Sequence, residues 1–578
     1  MKPDFTSSLA IMLFALLLIG GCKKSEIVST KVLDLKNVQI KTCDSKNQNG
    51  FTTVNKVIYP DPVFTGQVIK PWDVTLFSKY NYGKWHFESG VPYQKKLELM
   101  PDKYSSGKDL KTVKLLSFFT MTDIHLTDKE SPAQSIEYTF IPAIFPAAIS
   151  CYTPSMLFST HVLNASIQTV NEINQVDPID FGIALGDMTN SSIYNEFRWF
   201  IDILDGKNIN PDSGKKDDPV HGPGNDYQDK YQAEGLCKSI PWYTTIGNHD
   251  HFFNGAIPFN DKIHKNLTGN KILQLGNVFT EGNAVDLNTY SMGTLDGSTV
   301  NGDIIGAGVA DQMNYIPTIP ADLNRRALTK MQMMKEFSKT SSFPRGHGFN
   351  QPNFFDGCYS FEPKSDLPLK VIVLDDTMDE TDTPPTGIGV GFGCGSLSNG
   401  RFEWLKKQLQ EGQREDKLMI IGAHIPIGVA PPQSILGWID GTAQDEIITE
   451  LKKYPNFILW ISGHRHLDTV TAFPSTDKDH AENGFWEVET RSLREFPQQF
   501  RIFDILSNSD NTLSIQTADV DPDVRSNSFA ATSRSYAIAA YQTYGLKGDL
   551  FPTNVNLVKK LTPHMQSKIA KYKEKISH

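Results

Sequence analysis

The chain has 578 residues, more than a single ordinary domain uses and ample for a large core with additions. Hydrophobic residues make up 39 % and aromatics 11 %, which excludes a largely disordered chain. The formal net charge of −10 and a pI near 5.8 argue against a basic face, so no duplex nucleic acid is expected as a partner.

The N-terminus reads as a targeting segment. Lys2 precedes the apolar run LAIMLFALLLIGGC, Leu9 to Cys22, which has the form of a secretory signal. Its end, LIGGC followed by Lys23 and Lys24, resembles a bacterial lipobox. That resemblance implies cleavage before Cys22, lipidation of its thiol and an exported lipoprotein held at the periplasm or cell surface. A plain signal peptide or a short anchor is the alternative. No later run reaches 18 apolar residues, so no other membrane span is expected. Residues 23–112 read as a tether followed by an irregular or β-rich extension, as in YNYGKWHFESGVPY. Five cysteines follow Cys22 without a CxxC spacing, so a thiolate zinc site is not expected, and any pairing stays open.

From Val113 strands and helices alternate. VKLLSFFTMTDIH reads as a strand, and residues 153–175 carry Leu163, Ile167, Val170 and Ile173 at helical spacing. IDFGIALGD, PWYTTIGNHD, LKVIVLDDT, KLMIIGAHIP and FILWISGHRH read as further strands. NEFRWFIDILDG, RFEWLKKQLQEG and DEIITELKKYP read as the helices between them. FWEVET, FRIFDIL and TLSIQTADV close the series as strands. This alternation predicts an α/β layer architecture over residues 113–525. It is interrupted at about 205–235 and 252–350, where Gly, Asn, Asp and Pro dominate; such insertions are usually lids or decorations. Residues 526–578 read as a helical tail rich in Lys.

Five of these strands end in residues of metal-ligand type: Asp123 and His125, Asp187, Asn248 with His249 and Asp250, His424, and His464 with His466. Asp123 and His125 are two apart, and alternate residues of an extended chain point the same way. In open α/β sheets, strand carboxyl ends form the ligand crevice, so five ends can converge on one site. Singly, an Asp-x-His or a Gly-Asp is more often a satisfied polar pair or a turn. In this order, each after a strand, they point to one constellation. It holds five of the chain's 14 histidines.

The ordered blocks D-x-H, G-D, G-N-H-D, H and G-H-x-H resemble the calcineurin-like metallophosphoesterase superfamily over about residues 113–520. The resemblance implies a four-layer α/β/β/α sandwich with large loop insertions and an N-terminal extension. It implies two metal ions, Mn, Fe or Zn. One would take Asp123, His125, Asp187 and His466; the other would take Asp187, Asn248, His424 and His464, with Asp187 bridging. It further implies hydrolysis of phosphate esters by a hydroxide held between the ions, with His249 assisting from the substrate side, steadied by Asp250. The expected partner is a phosphate-ester small molecule or a lipid head group. Purple acid phosphatases of this superfamily carry a Tyr where this chain has Asn190, so no tyrosine ligand is expected. A non-catalytic surface lipoprotein using the same fold as a binding scaffold is the competing reading, and its expected trace is a missing ligand. His251, Asp128, Arg465, Arg491 and Arg494 are further candidates, each with a plainer role as a loop, turn or salt-bridge residue. Gly387–Gly395 lacks the P-loop spacing and reads as a connection.

Overall fold

The computed structural model describes residues 50–64, 66, 69–105, 110–134, 153–215, 222, 224–273, 290–295, 304–309, 318–383, 392–428, 438–441, 444–524, 528–544 and 551–576. The signal segment, Cys22, residues 23–49 and most of the Gly387–Gly395 run lie outside the described residues. Cys237, Cys358 and Cys394 are free thiols, and no described helix is long and apolar enough to cross a membrane.

The central strands are β1 (Gln94–Lys96), β2 (Thr112–Met121), β3 (Phe181–Ala184), β4 (Trp242–Thr244), β5 (Tyr359–Phe361), β6 (Leu369–Val373), β7 (Leu418–Gly422), β8 (Phe457–Ser462), β9 (Val470–Phe473), β10 (Phe485–Glu489), β11 (Phe500–Asn508), β12 (Thr512–Val520) and β13 (Val555–Lys560). They form a seven-stranded sheet in the order β1-β13-β12-β11-β2-β3-β4 and a six-stranded sheet in the order β5-β6-β7-β8-β10-β9. Pairings β2–β3, β3–β4, β6–β7, β7–β8 and β8–β10 are parallel. The helices that matter here are α1 (Ser159–Val176), α2 (Tyr194–Leu204), α3 (Asn399–Arg414), α4 (Gln444–Leu451), α5 (Phe529–Tyr544) and α6 (Pro563–Ile576).

Period-two alternation of buried residues sorts the layers. On β2, Phe118 stacks on Phe181 and Phe503, and Phe181 meets Phe361 of the other sheet with ring centroids 5.4 Å apart. Its neighbours Phe119 and Met121 face the opposite way, toward Phe200 and Leu204 of α2. On β6, Leu369, Val371 and Val373 join the core between the sheets, while Ile372 packs with Phe402, Leu405 and Leu409 of α3 and Ile447 and Leu451 of α4. Helices α1 and α2 cover one sheet and α3 and α4 the other, giving four α/β/β/α layers. Because β6, β7 and β8 are covered on both faces, they read as largely apolar runs, with Lys370 and the terminal Ser462 as the polar exceptions. Each fully buried Leu, Ile or Phe in these layers contributes roughly 1.5–3 kcal/mol relative to exposure.

The ends of the chain differ from the expectation. Residues 526–578 are not only helical: between α5 and α6 runs β13, which pairs antiparallel with β12 and parallel with β1. Thus the N-terminal extension and the tail both add strands to the sheet. The physical reason is visible in VNLVKK: Val555, Leu557 and Val558 are buried, while the adjoining lysines give the segment a polar look in sequence. Helix α6 buries Met565, Ile569 and Tyr572 and leaves its lysines outward or on the flanks. The 252–350 insertion includes short helices at Asp261–Thr268 and Lys330–Glu336 and a hairpin of Tyr290–Leu295 with Ile304–Val309.

Candidate metal centre

The parallel neighbours β2, β3 and β4 end on the same side of their sheet, as β7 and β8 do in the other. The structure brings seven of the expected residues together there: Asp123 and His125 after β2, Asp187 after β3, Asn248 after β4, His424 after β7, and His464 and His466 after β8. The loops after β2 and β3 are tied to each other by Asp123 N to Gly186 O (3.1 Å), His125 N to Asp187 O (3.0 Å) and Leu126 N to Met188 O (2.9 Å).

The pairs do not converge by strand alternation. Asp123, His125, Asp187, His464 and His466 all have left-handed φ, between 47° and 74°. For a non-glycine residue that conformation costs about 1–2 kcal/mol, and it concentrates at functional sites where the surroundings hold it. Here the left-handed turns, not an extended chain, aim alternate residues inward. Gly255 (φ 67°) shows how tight the frame is. A Cβ there would lie 2.2 Å from His249 Cδ2 and 2.3 Å from Asn248 Nδ2.

Hydrogen bonds fix which atoms face the centre. Asn248 Nδ2 donates to Gly255 O (2.8 Å), so its Oδ1 faces His424 Nε2 at 2.9 Å and His464 Nδ1 at 3.1 Å. His424 Nδ1 lies 2.8 Å from the Leu185 carbonyl, an acceptor only, and takes the ring hydrogen there. In the neutral ring, His424 Nε2 and Asn248 Oδ1 are then two lone pairs in contact, the arrangement a cation would bridge. On the other side, His466 Nδ1 lies 2.8 Å from Glu495 Oε2, leaving its Nε2 bare at 3.3 Å from both His125 Nε2 and Asp123 Oδ1. Asp123 Oδ1 is buried without a hydrogen-bond donor. Asp187 Oδ2 stands between the two groups, 3.7 Å from His125 Nε2 and 3.4 Å from His424 Nε2. Acceptors facing acceptors at 2.9–3.9 Å suit cations with bonds of about 2.0–2.2 Å to N and O, and the mixed N/O donors suit Zn, Mn or Fe. Asp123, His125 and His466, and Asp187, His424 and His464, are candidate metal groups. Together with Asn248 they fit cations.

Charge balance agrees. Burial opposes ionisation of Asp187, yet His424 and His249 hold its carboxyl well below the usual range. Burial also opposes the charge on His424, but Asp187 holds it up at about 10. Burial, with His424 alongside, pushes His464 down to about 3. Burial opposes the charge on His466 too, but Glu495 and Asp123 hold it well above its usual value. The carboxylates demand positive charge: without a cation His424 and His466 keep protons to supply it, and cations would take those protons' place.

His249 is partly exposed at the rim. Its backbone N–H donates to Asp187 Oδ1 (2.8 Å), and its Nδ1 lies 2.8 Å from Asn190 O. Asp250 does not touch the His249 ring: its carboxylate accepts from Gly247 N and Thr189 N and braces the loop. The other candidates sit elsewhere. Asp128 is buried against Ser213, Asn195 and Arg325, binding the insertions to the core. His251 is buried on Thr377 Oγ1 (2.9 Å). Arg465 turns away onto Glu489 (2.6 Å), and Arg491 pairs with Asp468 and Asp519. Arg494 reaches Asn190 Oδ1 at 2.5 Å, bracing the residue that holds His249. Three supports had no motif to announce them: Glu495, Asn190, and Asp376, whose carboxylate accepts from the N–H groups of His424 and Ile425.

No family model matches the chain, and no curated protein matches it. Solved structures do. A dimetal phosphatase from Danio rerio is 10 % identical with a TM-score of 0.34, over 71 % of this chain and all of that one. A putative 5'-nucleotidase from Staphylococcus aureus in complex with alpha-ketoglutarate is 12 % identical with a TM-score of 0.30, over 72 % of this chain and 55 % of that one. GAP50, the anchor in the inner membrane complex of Plasmodium, is 13 % identical with a TM-score of 0.29, over 79 % and 94 %. At these scores none of the three bears on activity.

Proposed function

We propose that this chain is a binuclear metal-dependent hydrolase of phosphate esters, of the calcineurin-like metallophosphoesterase type, exported and tethered to a membrane. The observation that carries the reading is the pair of acceptor-lined positions sharing Asp187 Oδ2. Asp123, His125, Asp187 and His466 would hold one ion; Asp187, Asn248, His424 and His464 the other. Two such ions supply Lewis acidity: they offset phosphate charge and make water nucleophilic near neutral pH. The chain's own residues do the rest. The bonds from His424 Nδ1 to Leu185 O and from His466 Nδ1 to Glu495 keep both Nε2 atoms turned inward. Asp187, anionic and central, offsets the repulsion between two cations. His249, with its Nδ1 hydrogen on Asn190 O, keeps its other nitrogen for the substrate, where it would hold charge on a phosphoryl oxygen or protonate the leaving oxygen. A non-catalytic scaffold would tolerate loss of a donor; none of the seven is missing.

The test is metal analysis with a rate. The purified protein should carry two ions of Mn, Fe or Zn per chain and hydrolyse bis-p-nitrophenyl phosphate or p-nitrophenyl phosphate. A chelator should abolish the activity, and Mn or Zn should restore it. A protein that takes up no metal and cleaves neither ester after resupply would be a binding scaffold instead. The tether rests on Cys22: Cys22→Ala should move the protein from the membrane fraction to the soluble one, and unchanged membrane retention would refute lipid anchoring.

A further inference from the structure

The two acceptor-lined positions are not electrostatically equal. Around the first stand Asp123, His125 and His466, and behind His466 lies the carboxylate of Glu495, 2.8 Å from Nδ1. Around the second stand His424, His464 and the neutral amide of Asn248; the far ring nitrogen of His424 meets a carbonyl, Leu185 O at 2.8 Å, and the Asp376 carboxylate holds its backbone N–H, not its ring. Asp187 is common to both. A carboxylate bonded to the far nitrogen of a ligating imidazole fixes its tautomer, orients the ring and raises its basicity; losing such a partner typically costs about 10–100-fold in metal affinity. Glu495 comes from the loop after β10, is partly exposed, and meets the centre through the His466 ring.

Resting on the two-metal reading above, we propose that Glu495 is a positioning residue that makes the Asp123–His125–His466 position the tighter one. The two ions then bind in order, and the ion beside Asn248 is the exchangeable one. Full-length protein stripped by chelator and titrated with Mn2+ alone should show two affinities separated by about tenfold or more. Glu495→Gln keeps size but removes charge. It should weaken the tighter step by about 10–100-fold and leave the weaker step unchanged, with the metal-free melting temperature holding. Glu495→Asp, which keeps the charge on a shorter arm, should fall between. If Gln weakens neither step, or both alike, the proposal is wrong. A measurement on the unmodified protein decides the order independently. A crystal given one equivalent of Mn2+ should show anomalous density among Asp123, His125 and His466; density first at Asn248, His424 and His464 overturns the proposal. Failure of the wild type to bind Mn2+ at all would instead remove the two-metal reading, and this inference with it.

Discussion

Replacing Asp187 with Asn is expected to empty both metal positions and to cut phosphate-ester hydrolysis by about 10³-fold or more, since the ions contribute several kcal/mol to the transition state and each 1.36 kcal/mol is tenfold. The substitution is nearly isosteric, so the loss would come from charge and polarity, not from space. The orientation of the new amide is dictated by its neighbour. His249 N donates to Asp187 Oδ1 at 2.8 Å, and only an oxygen can accept there. The amide nitrogen must then take the place of Oδ2, between His125 Nε2 and His424 Nε2. A donor with partial positive charge would face two cations whose mutual repulsion had lost its anionic bridge. Metal content by mass spectrometry decides the matter. Two ions retained per chain would show that Asp187 is not shared, and one retained would assign it to a single position. The metal-free fold should not suffer, because a buried carboxylate is expensive to keep ionised and only neighbouring imidazoles, His424 and His249 foremost, compensate its charge.

How much of this site was readable in the sequence follows from what each residue answers to. Donors that end apolar strands announce themselves, because a strand of period two, a turn and a His or Asp form a local pattern. Asp123, His125, Asp187, Asn248, His424, His464 and His466 all meet that description, and the layers around them followed from the strand–helix alternation. Their supports answer to tertiary geometry instead. Glu495 is one acid in LREFPQQ until the fold sets it against His466. Asn190 matters through its backbone oxygen, which any residue type carries. Asp376 holds two N–H groups of a loop on a neighbouring strand. The left-handed turns at the ligands were not readable either: Asp and His are enriched there among non-glycine residues, yet few of them adopt it, and the surrounding bonds decide which. Strand β13 is hard to read because its buried valines and leucine adjoin the lysines of a tail whose composition suggests helix. Asp128, beside the first motif, takes the plainer role: its carboxylate serves the insertions, not the centre.

His249→Ala is expected to leave two ions in place and to lower turnover by about 10²–10⁴-fold, the usual loss when a positioned proton donor or acceptor is removed. The competing assignment is concrete, because donor atoms of His125, Asp187 and His249 also fall within 4.8 Å of one another, and a third histidine ligand is conceivable there. Three observations favour the substrate-facing role. The ring's Nδ1 is engaged by Asn190 O, and Arg494 and Glu196 in turn grip Asn190, so the ring is held from behind at the rim. Its contact with His125 is edge to face, centroids 4.5 Å apart at 90°, and not a pairing of nitrogens. The remaining seven residues already give each position four donors, the number a tetrahedral site needs. If His249 works on the substrate, the Ala variant keeps its metal, loses turnover, and regains part of it when imidazole is added to the assay. If His249 is a ligand, the variant loses an ion and imidazole restores metal and activity together. The ratio of metal to protein in the variant, measured before any rate, separates the two.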